Sequence, residues 1–345
     1  NFGSSVCSGL RGLRMIFGRL SQPRSWPKTR RVRFCAFDIK CRMASSCCFT
    51  GWEDDMFAPS FMSAMKQYRM GYRSALRQVV EQEAENVFSF SMLDPSFCET
   101  FLEDLRSYKR SGGTITRPNT MNSLGMVLTD PAHSDLMDQL QRDFVAPLAA
   151  YLYPKEGSAM DEHHSFIVQY IHSDRNPPAS HLGLDMHSDG DSDVTLNICL
   201  AGDFQGGDLV FCGQRGDRGH RSKAHRYKHS VGRAVLHLGN QRHGADNITS
   251  GERVNLIMWN KNNAFRGSQE FWLRQRRAEM EASEGFRMPN GHVEPDRVCL
   301  SRAHDSDFQQ WTLLLLSQEE LGTLPYDLRS QVESKRRELR SHLNI

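Results

Sequence analysis

Between Ser165 and Trp259 the chain alternates in a way that only strands can use. "SFIVQYI" (165–171), "VTLNICL" (194–200), "DLVF" (208–211), "RAVLHL" (233–238) and "RVNLIMW" (253–259) are short, alternating or rich in β-branched residues, and separated by Gly, Asp and Asn. In an extended segment successive side chains project to opposite faces. Val194, Leu196, Ile198 and Leu200 therefore share one face, and Thr195, Asn197 and Cys199 the other. Several such strands closed by turn residues predict an antiparallel sandwich or barrel.

The flanks read differently. Residues 59–85 are mostly helix formers. In "MLDPSFCETFLEDLRSYKRSGG" (92–113) Asp94 or Ser96 can cap a helix whose one face holds Phe97, Phe101, Leu102 and Leu105, with Gly112 and Gly113 ending it. "DLMDQLQRDFVAPLAAYLYP" (135–154) is a second amphipathic helix closed by Pro154, and "PYDLRSQVESKRRELRSHL" (325–343) reads as a surface helix. The expected class is α+β. Residues 43–160 form a mainly helical N-terminal region packed on a strand-rich core at 161–265, and 266–345 form a helical extension.

Residues 1–42 hold ten Lys or Arg and one acid, so against a formal net charge of +2 the remainder is acidic by seven. That balance excludes a nucleic-acid footprint spread over the whole protein. The basic segment reads either as an organelle leader or as a disordered tail. No apolar run reaches the roughly 18–20 residues of a membrane span. The nine cysteines include no CxxC pair, which favours reduced thiols and an intracellular reducing compartment.

The chemistry concentrates ahead of "VTLNICL". His187 and Asp189 stand two residues apart, so an extended backbone projects an imidazole and a carboxylate to one side. A third ligand must come from another strand, and His243, between "RAVLHL" and "RVNLIMW", is the candidate. Two histidines and one carboxylate with other positions open are typical of non-haem Fe(II) oxygenases. Such a site carries a net charge of about +1 and welcomes an anion. Arg253, ten residues after His243, shares a strand face with Asn255 and Ile257 and can clamp a carboxylate through two parallel hydrogen bonds.

Taken in order, "RPNTMNSLGMVL" (117–128), "FIVQY" (166–170), "HSDGDSDVTLNICL" (187–200), "FQGGDLVFCG" (204–213) and "GRAVLHLGNQRHGA…SGERVNLIMW" (232–259) resemble the 2-oxoglutarate- and Fe(II)-dependent dioxygenases of the prolyl-hydroxylase-like group. The resemblance covers roughly Phe88 to Trp259. It implies a double-stranded β-helix (jelly-roll) core, Fe(2+) held by His187, Asp189 and His243, and 2-oxoglutarate held by Arg253 with Tyr170 lining its pocket. It further implies O2 as co-substrate, ascorbate as an accessory reductant, and hydroxylation of a protein or peptide side chain with release of succinate and CO2. Against the pattern of that group one residue looks inserted near Gly190, which makes Asp191 a rival ligand.

Other readings stand beside these. A cupin-like metal-binding module without turnover would need the three ligands but not Arg253. A zinc hydrolase accepts the same ligands but would need a second carboxylate as base. His237 competes with His243 as a ligand, or is a hydrogen-bonded core histidine; His163, His164 and His181 read as loop or strand-edge residues. "RGDRGHRSKAHRYKHS" (215–230) is either a basic lip over the site or a solvated hairpin. Gly206 and Gly207 read as turn residues and not as a phosphate loop.

Overall fold

In the computed structural model the alternating segments form strands of two antiparallel sheets, and the described residues are 49, 51–119, 121–122, 124–128, 133–173, 181–217, 220, 223–284 and the short pieces 318–322, 329–330, 332–334 and 336–337. The strands are β1 (Glu81–Ala84), β2 (Val87–Ser91), β3 (Gly125–Val127), β4 (Glu162–Ile171), β5 (Leu184–His187), β6 (Val194–Cys199), β7 (Phe204–Gly206), β8 (Leu209–Gln214), β9 (His225–Tyr227), β10 (Arg233–Leu238), β11 (Gln241–Ala245) and β12 (Ile248–Lys261). The large sheet runs β1-β2-β10-β6-β12-β4-β3 with β7 on β12, and the small sheet runs β5-β11-β8-β9. Along the chain β4, β6, β10 and β12 fall in the large sheet, while β5, β8, β9 and β11 fall in the small one. This crossing back and forth is the winding of a double-stranded β-helix, so the fold is α+β with a jelly-roll core.

The alternation read from the sequence sorts side chains between two cores. Phe166, Val168, Tyr170, Val235 and Ile257 of the large sheet meet Leu209, Phe211, Tyr227 and Ala245 of the small one. On the other face of the large sheet, Ile167, Leu196, Ile198, Leu236, Leu256 and Met258 join a larger core with Phe61, Phe101, Met137 and Phe144 from the N-terminal helices. Full burial of such a side chain is worth roughly 1.5–3 kcal/mol, and the helical layer thus backs the strands that carry the site. The N-terminal region also supplies β1, β2 and β3 to the large sheet.

The helices are α1 (Pro59–Arg69), α2 (Pro95–Arg110), α3 (Ser134–Leu140), α4 (Ala146–Leu152), α5 (Asn263–Arg266) and α6 (Gln269–Glu284). Asp94, not Ser96, caps α2, accepting from the Ser96 backbone N–H at 2.9 Å. The second predicted helix is interrupted: a π turn at Gln141–Val145 separates α3 from α4. Pro147 cannot donate to the carbonyl four residues back. That carbonyl, Asp143 O, instead accepts from Arg69 Nη2 at 3.0 Å.

The expected reduced thiols hold for Cys98 and Cys199, which are free and buried, whereas Cys212 is disulfide-bonded. Spacing along a chain reveals close pairs such as CxxC and is blind to partners far apart. Among the described residues no helix is long and apolar enough to cross a membrane. The predicted leader or tail at 1–42 and most of the predicted helix at 325–343 lie outside the described residues.

Candidate active site

β5 and β11 pair so that His187 and His243 are direct cross-strand partners. Their rings lie 4.4 Å apart. Each ring turns Nδ1 onto the backbone carbonyl two residues earlier, His187 onto Asp185 O at 2.8 Å and His243 onto Gln241 O at 2.9 Å. A carbonyl only accepts, so both Nδ1 atoms carry the proton and both Nε2 atoms present a lone pair.

Asp189 lies just beyond the end of β5, in a turn and not on the extended strand expected. Its backbone N–H donates to Gly239 O at 2.7 Å, and its carbonyl accepts from Ser192 N at 3.0 Å. A Cβ at Gly239 would stand 1.9 Å from Ser192 O, so only glycine allows this approach. The turn brings the Asp189 carboxylate 3.5 Å from His187 Nε2 and 3.7 Å from His243 Nε2. The three donor atoms lie within 4.8 Å of one another; donors about 2.1 Å from one ion stand about 3 Å apart, a small closure away. Asp191 takes no part: its side chain is 74% exposed and faces Lys261 at 3.9 Å. A Cβ at Gly190 would meet open space, so the apparent extra residue is absorbed in a surface turn.

Burial pushes the Asp189 carboxyl up, but His243 and His187 outweigh it and hold the group below its ordinary range. Burial pushes His243 down to about 3 despite the carboxylate. At His187 burial acts downward too, yet the Asp189 hydrogen bond and charge leave the ring raised. The set is an ionised carboxylate facing two imidazoles whose Nε2 atoms point at it, the donor chemistry that a divalent first-row metal takes.

Arg253 lines the same cavity between the sheets. It is 1% exposed, opposite Tyr170 in the β12–β4 register. Its guanidinium donates to Asn255 Oδ1 at 3.1 Å and Gly207 O at 2.5 Å, and Nη2 stands 3.5 Å from His229 Nδ1. Tyr170 and Phe204 place their rings 5.8 and 5.7 Å from it. Burial pushes the Tyr170 phenol up to about 12 although Arg253 works against it, so it stays a neutral wall of the pocket. Among the described residues no carboxylate pairs with Arg253. The Asp208 carboxylate acts on it through charge alone, with no ion pair among the described residues, and a buried guanidinium with so little compensation favours an anion beside it.

Residues 45–158 match the OGFOD2-like domain model. The chain is 38% identical over 226 residues to 2-oxoglutarate and iron-dependent oxygenase domain-containing protein ICU11 of Arabidopsis thaliana, covering 62% of this chain and 54% of that protein. It is 33% identical over 223 residues to the human 2-oxoglutarate and iron-dependent oxygenase domain-containing protein 2, covering 63% and 61%. This chain is a homologue of those proteins. It spans about half the length of the Arabidopsis relative. Among solved structures, a prolyl hydroxylase from Trichoplax adhaerens in complex with a hypoxia inducible factor peptide fragment overlays with a TM-score of 0.41 at 14% identity, covering 59% of this chain and 97% of that one.

The OGFOD2-like segment reaches the site directly: Met121 and Asn122 line the cavity, with Tyr170 Oη 3.5 Å from Asn122 Oδ1. Sequence reasoning missed Asn122, and it missed Thr195, whose hydroxyl donates to Asp189 Oδ2 at 2.7 Å. Thr195 was signalled by its place on the polar face of β6; Asn122 carried no signal beyond its motif. His237 is buried on β10, with Nδ1 on Leu238 O at 2.9 Å and its ring 4.4 Å from His243; it lines the cavity but stands outside the three-atom cluster. His163 lies between Asp138 at 2.8 Å and Ser165 at 3.0 Å, an alignment closed to substrate because Ser165 is fully buried. The described part of 215–230 pairs outward, Lys223 with Glu85 at 2.9 Å and Arg226 with Asp246, as in the solvated-hairpin reading. Not all of the segment is solvated: His220, Tyr227 and His229 are buried, Tyr227 in the core between the sheets and His229 beside Arg253.

Proposed function

We propose that this protein is an Fe(II)- and 2-oxoglutarate-dependent dioxygenase that hydroxylates a protein or peptide side chain and releases succinate and CO2. One observation carries the reading: a His/Asp/His donor set and a buried guanidinium that has no ion-pair partner among the described residues face one cavity. The donor set fits iron, because its imidazoles are already in the ligating tautomer. His187, Asp189 and His243 hold the metal, Arg253 takes the far carboxylate of the diacid, and Tyr170 walls that pocket. Bound together, the metal and the 2-oxo acid activate O2 for insertion into a C–H bond. The chain's task is to orient the diacid between the metal and Arg253. Ascorbate belongs to the same reading as a reductant for the resting metal.

The rivals fit less well. Among the described residues Asp189 is the single acid lining the cavity, and the zinc-hydrolase reading finds no second carboxylate there to serve as base. A metal-storing module has no use for Arg253.

The test is anaerobic addition of Fe(II) and 2-oxoglutarate, with a metal-to-ligand charge-transfer band expected, followed by succinate release in air against peptide and nucleic-acid pools. No band and no 2-oxoglutarate binding would overturn the assignment. Succinate release stimulated only by nucleic acid would move the substrate class.

A further inference from the structure

We propose that His229 is the positioning residue that aims the Arg253 guanidinium at its anion, by offering the Nδ1 lone pair; the inference rests on the 2-oxoglutarate reading above. His229 is buried, and its Nε2 stands 2.9 Å from Arg233 O. A carbonyl only accepts, so Nε2 carries the proton and Nδ1 is left as an acceptor. Two donors face that lone pair: Asn255 Nδ2 at 3.2 Å and Arg253 Nη2 at 3.5 Å. Asn255 Nδ2 also donates to Asn197 Oδ1 at 2.5 Å, and its Oδ1 accepts from Arg253 Nε. The amide is therefore held in one orientation by acceptors on two sides.

Counting donors shows what this does. A guanidinium has five N–H groups in a fixed fork. Asn255 Oδ1 takes the one on Nε, Gly207 O takes one on Nη1, and His229 Nδ1 takes one on Nη2. One N–H remains on each terminal nitrogen, the pair that a carboxylate accepts side by side. All three protein acceptors are neutral, so they orient the fork and leave its charge for the ligand. Burial and then the charge of Arg253 push His229 well below its ordinary pKa, in keeping with this acceptor role.

The test compares wild type, His229→Phe and His229→Asn by calorimetry with Mn(II) and 2-oxoglutarate as probes. Asparagine can return an acceptor oxygen near the Nδ1 position; phenylalanine cannot. H229F is expected to weaken 2-oxoglutarate binding roughly tenfold while Mn(II) affinity changes less than about twofold, and H229N is expected to recover most of the loss. Equal 2-oxoglutarate affinity in H229F and wild type overturns the proposal. So does H229N failing as badly as H229F at an unchanged Tm, because shape alone would then be responsible. Should H229F not fold, nitrogen NMR of the wild-type ring decides: an unprotonated Nδ1 is expected, and a protonated one overturns the role. Wild type that binds Mn(II) but no 2-oxoglutarate would instead sink the cofactor reading itself.

Discussion

Thr195 Oγ1 donates to Asp189 Oδ2 at 2.7 Å, with the Ser192 hydroxyl 3.0 Å from the same oxygen of Thr195. Asp189 sits in a turn beyond the end of β5, so its backbone alone does not aim the carboxylate; a side chain from the first turn-facing position of β6 does. Thr195→Val keeps the shape and removes the donor. Partners of this kind typically contribute 10–100-fold to metal affinity, so T195V is expected to bind Mn(II) roughly tenfold more weakly, with 2-oxoglutarate-independent Tm nearly unchanged in metal-free buffer. Calorimetry and thermal unfolding with and without a chelator check both halves.

The two aspartates offer a sharper comparison. Asp189 is buried between two imidazoles while Asp191 is exposed beside Lys261. Asp189→Ala should abolish iron retention through a desalting column, and Asp191→Ala should leave it as in wild type. Loss confined to the Asp191 variant would transfer the ligand role to it.

Residue type and strand alternation sufficed to bring His187, His243 and Arg253 to one cavity from strands of two sheets, whereas Asp189 reaches it from a turn that alternation did not indicate. His229 could not be read from the chain. It lies in a segment with six Lys or Arg and three His, a composition that reads as solvated surface, and only the tertiary arrangement puts it beside Arg253. Asn122 escaped for a similar reason: it belongs to the OGFOD2-like segment, whose helical character hid that its loop reaches the cavity. The break between α3 and α4 was written in Pro147, but amphipathic periodicity continues across a π turn and masks it.

Arg253 tests the anion pocket. Arg253→Ala removes the buried guanidinium and is expected to weaken 2-oxoglutarate binding by about 1.5–3 kcal/mol, the range for a hydrogen bond to a charged group. Metal affinity should stay near wild type, since no ligand is touched. Arg253→Lys should recover little, because an ammonium cannot reproduce a fork held on three acceptors. Unchanged 2-oxoglutarate affinity in the alanine variant would take Arg253 out of the pocket.

Gly239 tests how the carboxylate ligand is placed. Its carbonyl accepts from Asp189 N–H at 2.7 Å, and an added Cβ would stand 1.9 Å from Ser192 O and 2.9 Å from Asp189 O. Both clashes are with backbone, which has no rotamer to yield, so Gly239→Ala must push the 189–192 turn away from the end of β10. That turn anchors the Asp189 carboxylate, while His187 and His243 are held independently by β5–β11 pairing. G239A is therefore expected to lose Mn(II) affinity more than T195V does and to lower stability by about 1–3 kcal/mol, as overpacking does. Gly190→Ala, with open space around its Cβ, is the matched control and should change neither quantity. If G239A bound metal as tightly as wild type, Asp189 would be positioned by Thr195 alone and the close backbone approach would be incidental to the site.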